Sequence, residues 1–228
     1  MRPGDVDLVR RLPALAELPQ TAMDRLVNGA FVQSLPRGAT LCVQGQTPEF
    51  LHAIISGRVA LLGVASNQAE TVVEFFETGD MLIAPAVLLN APYLMSARVV
   101  EEARVLFIAA DRVRQAMKLE PEFARAMAMH LARHWRRVIR QVKDLKLRTA
   151  PERLAAFIVG LSPKEPSSKG IQLPEDRKMV AARLGMTPES LSRAFASLRA
   201  AGVGGRGRTV TVANIARLRE FCRYDDLV

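Results

Sequence analysis

The sequence predicts an α+β chain: an antiparallel β domain first, then a long helix, then a small helical unit closed by a β-hairpin. Three observations predict it. Between residues 31 and 107 short apolar runs alternate with glycines, as in all-β sandwiches and barrels. Between residues 127 and 145 the apolar positions switch to helical spacing. The charge also divides. Residues 1–110 carry 8 Lys and Arg against 11 Asp and Glu, net −3, whereas residues 111–228 carry 24 against 12, net +12. A basic half joined to a near-neutral one implies two domains, the second suited to a polyanion.

The elements follow in order. Residues 7–30 read as short helices, with apolar Leu8, Leu12, Leu15, Leu18 and Leu26, broken by Pro13 and Pro19. Strands are expected at residues 40–43, 51–55, 58–64, 71–76 and 103–108, with Gly38, Gly45, Gly57, Gly63 and Gly79 marking turns. The apolar stretch Met81-Leu82-Ile83-Ala84-Pro85-Ala86-Val87-Leu88-Leu89 is too long for a tidy strand and contains a proline. It reads as a short helix and loop inserted between strands. Asp111 is placed to cap one helix, and Pro121 to stand near the first position of a longer one. On that longer helix Met127, Leu131, Trp135, Val138, Val142 and Leu145 recur at gaps of 4, 4, 3, 4 and 3, a heptad-like stripe. Such a stripe serves a helix pairing with a second copy or one packed inside its own domain. A further helix spans about 150–161, and a Pro/Ser/Lys-rich surface loop spans 162–170.

The stretch 173–212 carries the functional expectation. Pro174-Glu175-Asp176 opens a helix that Gly185 ends, and Thr187-Pro188-Glu189 restarts one. Thr187 is its cap, Pro188 its first residue, and Glu189 suits the positive helix start. Two short helices joined by a tight glycine turn form a helix-turn-helix. Val203 to Arg208 is a Gly/Arg-rich hairpin, Thr209 to Val212 a strand, and Asn214 begins a last helix. The second helix of such a motif enters the major groove of duplex DNA. Glu189, Ser192 and Arg193 share one face, where Arg193 suits guanine, Glu189 a cytosine amine, and Ser192 a base or phosphate. Thr187, Ser190, Arg206 and Arg208 complete the expected DNA-binding set. Leu191, Phe195 and Leu198 face inward.

Other classes fare worse. There is no Ser/His/Asp arrangement, phosphate-cradling loop or metal-ligand cluster, which argues against an enzyme. Cys42 and Cys222 are too few for a thiolate cluster. No apolar run approaches the roughly 18 residues of a membrane span, and the N-terminus does not read as a secretory signal. A cytoplasmic protein with no membrane partner is expected. A module that senses a ligand and regulates a protein partner is the competing class, separable by salt-dependent binding to a palindromic duplex.

The order of parts resembles the CRP/FNR superfamily of transcription regulators. The resemblance rests on Gly185-Met186-Thr187-Pro188-Glu189-Ser190-Leu191-Ser192-Arg193, on Ile54-Ile55-Ser56-Gly57-Arg58-Val59, and on Gly79-Asp80. It implies an N-terminal double-stranded β-helix (jelly-roll) sensor over 1–110, a dimerisation helix over 111–147, and a winged helix-turn-helix over 148–228. It further implies a homodimer on double-stranded DNA, reading TTGAT-like half-sites through Glu189, Ser192 and Arg193. RNA polymerase is an expected partner if the factor activates.

The sensor departs from the cyclic-nucleotide pattern. Where that pattern has Gly-Glu-Leu, this chain has Ile83-Ala84-Pro85, and Met95 stands at the arginine position, with one extra residue before it. Ser96 remains, and Arg98 lies further along. The helix positions that meet adenine align with Val138 and Ile139. A buried phosphate without a cationic partner is costly, so cyclic AMP is disfavoured. The family's cluster cysteines are absent, which disfavours an iron–sulfur cluster. The expected effector pocket is apolar, lined by Leu82, Pro85, Leu88, Met95, Val138 and Ile139, with Tyr93, Ser96 and Arg98 as polar groups. It suits a small organic effector or haem. Arg98 pairs either with an effector carboxylate or with a surface acid. His52, His130 and His134 are the haem-ligand candidates, but with no third ligand evident the signal is weak, and a packed His52 and solvent-facing or interface positions for the other two are expected. A regulator that needs no ligand remains an alternative.

Overall fold

Two long strands organise the first half of the chain. In the computed structural model, β3 (Phe50–Val64) and β6 (Ser96–Ala109) pair antiparallel along most of their length. Around them lie β1 (Phe31–Leu35), β2 (Thr40–Cys42), β4 (Glu70–Phe76) and β5 (Met81–Leu82), in one six-stranded sheet of order β1-β6-β3-β4, with β2 on β6 and β5 on β3. The structure describes residues 3–13, 15, 16, 18–64, 70–162, 170–174 and 176–224. Most of the expected loop 162–170, together with Glu175 of the expected helix start, lies outside those residues.

The two strands expected at 51–55 and 58–64 are one strand. Gly57 lies between them at φ +85°, where the β3–β6 register shifts, and a Cβ there would collide with the Glu102 carbonyl oxygen. Glycine therefore makes a bulge and not a turn, and the strand bends without ending. As a result β3 pairs with β5 before the bulge and with β4 after it. The strand expected at 103–108 likewise extends back to Ser96, which lets β6 reach β2 as well as β1. This is the expected jelly-roll topology.

The pleat sorts β3 into two cores. Ile54, Val59 and Leu61 face the interior of the roll with Phe76, Leu82, Tyr93, Val99 and Val105. Leu51, Ala53 and Ile55 face a helical layer. That layer comprises α1 (Pro3–Arg10), α2 (Gln20–Val27), α4 (Ala110–Leu119) and the start of α5 (Pro121–Leu147), joined through Leu12, Leu15, Leu26, Val113 and Phe123. Between β5 and β6 lies the expected short helix, α3 (Ala84–Leu89), entered through Ile83 at φ 54°. Asp111 does not cap α4: the helix already includes Ala110, and Ala109 holds the cap position without a side-chain bond. Asp111 instead pairs with Arg114 one turn on. Pro121 is the first residue of α5, as its missing N–H allows.

The chain divides into compact units Met1–Arg136 and Arg137–Val228, so the division falls within α5. The second unit holds α6 (Ala150–Leu161), β7 (Ile171–Gln172), α7 (Arg177–Arg183), α8 (Pro188–Leu198), a 3-10 turn at Arg199–Ala201, β8 (Val203–Arg206), β9 (Thr209–Val212) and α9 (Ile215–Phe221). Thr149 and Glu152 form a capping box that starts α6. Leu154, Ile158, Leu173, Val180, Leu191, Phe195, Leu198, Val210 and Leu218 fill one core. β7 has no counterpart in the sequence reading; it pairs with β9 and makes the hairpin three-stranded. No helix among the described residues is long and apolar enough to cross a membrane.

Candidate DNA-recognition surface and sensor segment

Local sequence builds the helix-turn-helix. Asp176 caps α7 by accepting from Met179 N–H at 2.9 Å. Gly185, at φ 61°, makes the turn. Thr187 caps α8, its hydroxyl accepting from Ser190 N–H at 3.2 Å, with Pro188 following. Arg153 of α6 ties the turn down, its Nε donating to the Leu184 carbonyl at 3.0 Å.

Burial then divides α8 into two faces. Leu191, Ala194, Phe195 and Leu198 are buried, while Glu189, Ser192 and Arg193 are exposed together. The three expected base-reading side chains thus share the outer face near the helix start. Ser190 is half-buried and serves as a local anchor. Its hydroxyl accepts from Thr187 Oγ1 at 3.2 Å and from Arg193 at 3.3 Å. The Glu189 carboxyl is held below the usual carboxylate range, first by its own backbone N–H, then by the Thr187 hydroxyl, with Arg193 contributing. It is therefore an anion and a hydrogen-bond acceptor at neutral pH.

The hairpin places the two expected wing cations differently. Arg206 is exposed at the end of β8, between Gly205 (φ 118°) and Gly207 (φ 58°). Arg208 is occupied within the fold. Its Nε donates to the Leu173 carbonyl at 3.0 Å, and its terminal nitrogen to that of Pro174 at 2.7 Å. Arg208, which is also exposed, thus fastens the hairpin to the segment before α7. Arg177, which the sequence reading passed over, lies beside it. Its Nε donates to the Gly207 carbonyl at 3.1 Å, and its guanidinium stands 4.0 Å from the Phe195 ring centroid. No local motif announces these contacts, because each partner is about 18 or more positions away in the chain.

Within the first unit the expected effector residues do not converge on one spot. Leu82, Tyr93 and Met95 meet in the interior of the roll. Leu88 faces the other way, into the helical layer, and Pro85 is exposed. Ile83, a β-branched residue held at positive φ, strains the entry to α3. Ser96 Oγ accepts from Gln44 N–H at 3.0 Å. Arg98 is paired with Glu70 by two bonds of 2.6 and 2.7 Å, so of the two expected partners it has a surface acid. That pairing holds the Glu70 carboxyl below its ordinary range. The Tyr93 hydroxyl, pushed up to about 12 by burial, donates to the Phe50 carbonyl at 3.4 Å. Val138 is half-buried and Ile139 45% exposed on α5, in the second unit.

The histidines separate in the same way. His52 is 3% exposed, edge-on to Phe107 at 4.8 Å, in an aromatic group with Phe31 and Phe50. His134 lies 3.4 Å from the Glu74 carboxylate and stacks on Phe76. Among the described residues no group of three or more His, Cys, Asp or Glu could hold a metal ion.

On α5 the heptad-like stripe is not uniform. Met127 is fully buried in the core of the first unit, and Leu131 packs against that core. Met127 is used inside the chain, which corrects its assignment to a dimer contact, whereas Leu131 is half-buried and keeps some exposed surface. Trp135, Val142 and Leu145 are 64%, 40% and 44% exposed, and Val138 is half-buried.

Comparison with known proteins agrees with this organisation. Residues 32–120 match the cyclic nucleotide-binding domain and residues 152–221 the Crp-like helix-turn-helix domain. The chain is 25% identical over 193 residues to the CRP-like cAMP-activated global transcriptional regulator of Mycobacterium tuberculosis, covering 82% of this chain and 86% of the relative. It is 26% identical over 186 residues to the transcriptional activator protein FnrA of Stutzerimonas stutzeri, covering 80% and 75%. Among solved structures, a candidate cAMP-binding regulatory protein from Silicibacter pomeroyi DSS-3 is 31% identical and aligns over 97% of this chain and 99% of its own, with a TM-score of 0.59. A jelly-roll with this domain match, followed by a long helix and a Crp-like helix-turn-helix, makes this chain a member of the CRP/FNR superfamily of DNA-binding transcription regulators.

Proposed function

We propose that the chain acts as a homodimer that reads a TTGAT-like palindrome and responds to a small organic ligand other than cyclic AMP. The observation that carries the DNA reading is the outer face of α8: Glu189, Ser192 and Arg193 exposed together, above a buried face of Leu191, Phe195 and Leu198. Arg193 suits bidentate bonding to guanine, and the anionic Glu189 accepts from a cytosine amine. Arg206 meets phosphate. Two copies related by a two-fold axis read half-sites about one DNA turn apart. The exposed part of the α5 stripe, Trp135, Val142 and Leu145, supports pairing with a second copy.

The ligand reading is supported by the sensor's own residues. The M. tuberculosis relative is named as cAMP-activated. Here Met95 offers no charge, and the Arg98 guanidinium is already bonded to Glu70 through two nitrogens. A cyclic phosphate would have to displace that pair or lie without a cation. The apolar interior around Leu82, Tyr93 and Met95 suits a ligand of low polarity. A ligand shifts the protein between arrangements only by binding one of them more tightly.

The test is titration of the protein into a duplex carrying an inverted TTGAT repeat and into a scrambled duplex, at about 150 mM salt, with and without cyclic AMP. Preference for the palindrome that cyclic AMP leaves unchanged is expected. A strong gain with cyclic AMP would refute the ligand reading; equal weak binding to both duplexes means either that the effector is missing or that the base-reading roles are wrong, and an effector screen on the same two duplexes separates these.

A further inference from the structure

Arg206 is the last residue of β8, paired with Thr209 at the mouth of the hairpin turn. Gly205 and Gly207 flank it, both at positive φ: at Gly205 a Cβ would collide with the Thr209 carbonyl oxygen, whereas Gly207 at the tip has open space around it. Arg208 and β7 fasten the hairpin to the segment before α7, and Arg177 adds a link that reaches α8. Arg177, half-buried at the start of α7, donates from Nε to the Gly207 carbonyl. The same guanidinium lies over the ring of Phe195, which is buried beneath the recognition face of α8. A single rigid planar group thus joins the backbone next to Arg206 to the helix that carries Arg193. Arginine suits this role: its plane stacks on an aromatic ring while its edge keeps donors for a carbonyl.

We propose that Arg177 is a positioning residue that fixes the wing relative to the recognition helix, so that Arg206 and Arg193 engage the same duplex together. This rests on the DNA-binding reading above and adds a coupling between its two parts. Two contacts held at a preset spacing act as one bivalent group, whereas a loose wing must be ordered at a cost during binding. The charge of Arg177 is not the agent. Its Nε is directed at a carbonyl and its guanidinium carbon lies over a ring.

The test is a double-mutant cycle on palindrome affinity, combined with amide exchange of the protein without DNA. Arg206→Ala is made in the parent, in Arg177→Met and in Arg177→Lys. The lysine variant keeps the charge but loses the planar stack, so it separates positioning from electrostatics. In the parent, Arg206→Ala is expected to weaken binding about tenfold, as for a lost phosphate contact. In both Arg177 backgrounds it should weaken binding less than about threefold, because the wing is already uncoupled. Exchange at Gly207 and along β8 and β9 should speed up, while exchange in α6 stays as in the parent and shows the fold intact. Equal losses from Arg206→Ala in all three backgrounds, or unchanged wing exchange in both Arg177 variants, would overturn the proposal. If Arg206→Ala has no effect even in the parent, the phosphate role of Arg206 fails. The exchange measurement then decides by itself whether Arg177 holds the wing.

Discussion

Lowering the pH from 7 to 5 should destabilise the first unit through one buried imidazole. His52 is 3% exposed, its Nδ1 has no hydrogen-bond partner, and burial pulls its pKa down from 6.5 to about 4. The folded state therefore holds it neutral in a range where the unfolded chain protonates it. The stability from keeping it neutral is fully present above pH 6.5, declines as the pH falls, and is lost by about pH 4. The full span corresponds to about 3 kcal/mol, and the part lost between pH 7 and 5 to about 2 kcal/mol. His52→Phe removes the titrating group and keeps an aromatic ring against Phe107. Urea denaturation followed by circular dichroism at both pH values, for parent and variant, isolates the effect, because all other groups titrate alike in the two proteins. The parent should lose about 2 kcal/mol more than the variant on going to pH 5. Equal losses in the two proteins would refute the argument that this histidine is buried neutral and without a bonding partner.

Three further outcomes are expected. Arg193→Ala should cost about 1–3 kcal/mol on the palindrome and relax preference at one guanine per half-site, read by competition with single-base variants of the duplex; a uniform loss across sequences would remove Arg193 from base reading. Trp135→Glu should weaken self-association by more than about 2 kcal/mol, roughly thirtyfold, in sedimentation equilibrium, while the melting of the monomer changes little because the side chain is 64% exposed. Gly57→Ala should cost more than about 2 kcal/mol in thermal unfolding, since a Cβ there meets the Glu102 carbonyl at a backbone angle of φ +85°.

What the sequence determined by itself is what neighbours along the chain decide. The start of α8 follows from Thr187 and Pro188, because a cap and a first-turn proline act within one helical turn. Its two faces follow from spacing alone, with Leu191, Phe195 and Leu198 inward and Glu189, Ser192 and Arg193 outward. The order of a β domain, a long helix and a winged helix-turn-helix was legible for the same reason. Glycine alone was ambiguous. At Gly185 it makes a turn between helices, but at Gly57 it makes a bulge inside one strand, and only the facing β6 backbone distinguishes the two.

Tertiary structure decided the rest. The apolar stripe of α5 looks continuous in the sequence, yet Met127 is used by the core of the first unit while Trp135 remains exposed, since burial depends on what packs against each turn. Leu82 and Leu88 look alike in one apolar run, but the helical turn between them directs them into different cores. Arg206 and Arg208 look alike too, two residues apart. Both are exposed, but only the fold brings the Leu173 and Pro174 carbonyls to Arg208. A cation's role depends on which acceptors lie within hydrogen-bond distance, and for long side chains those acceptors come from distant parts of the chain.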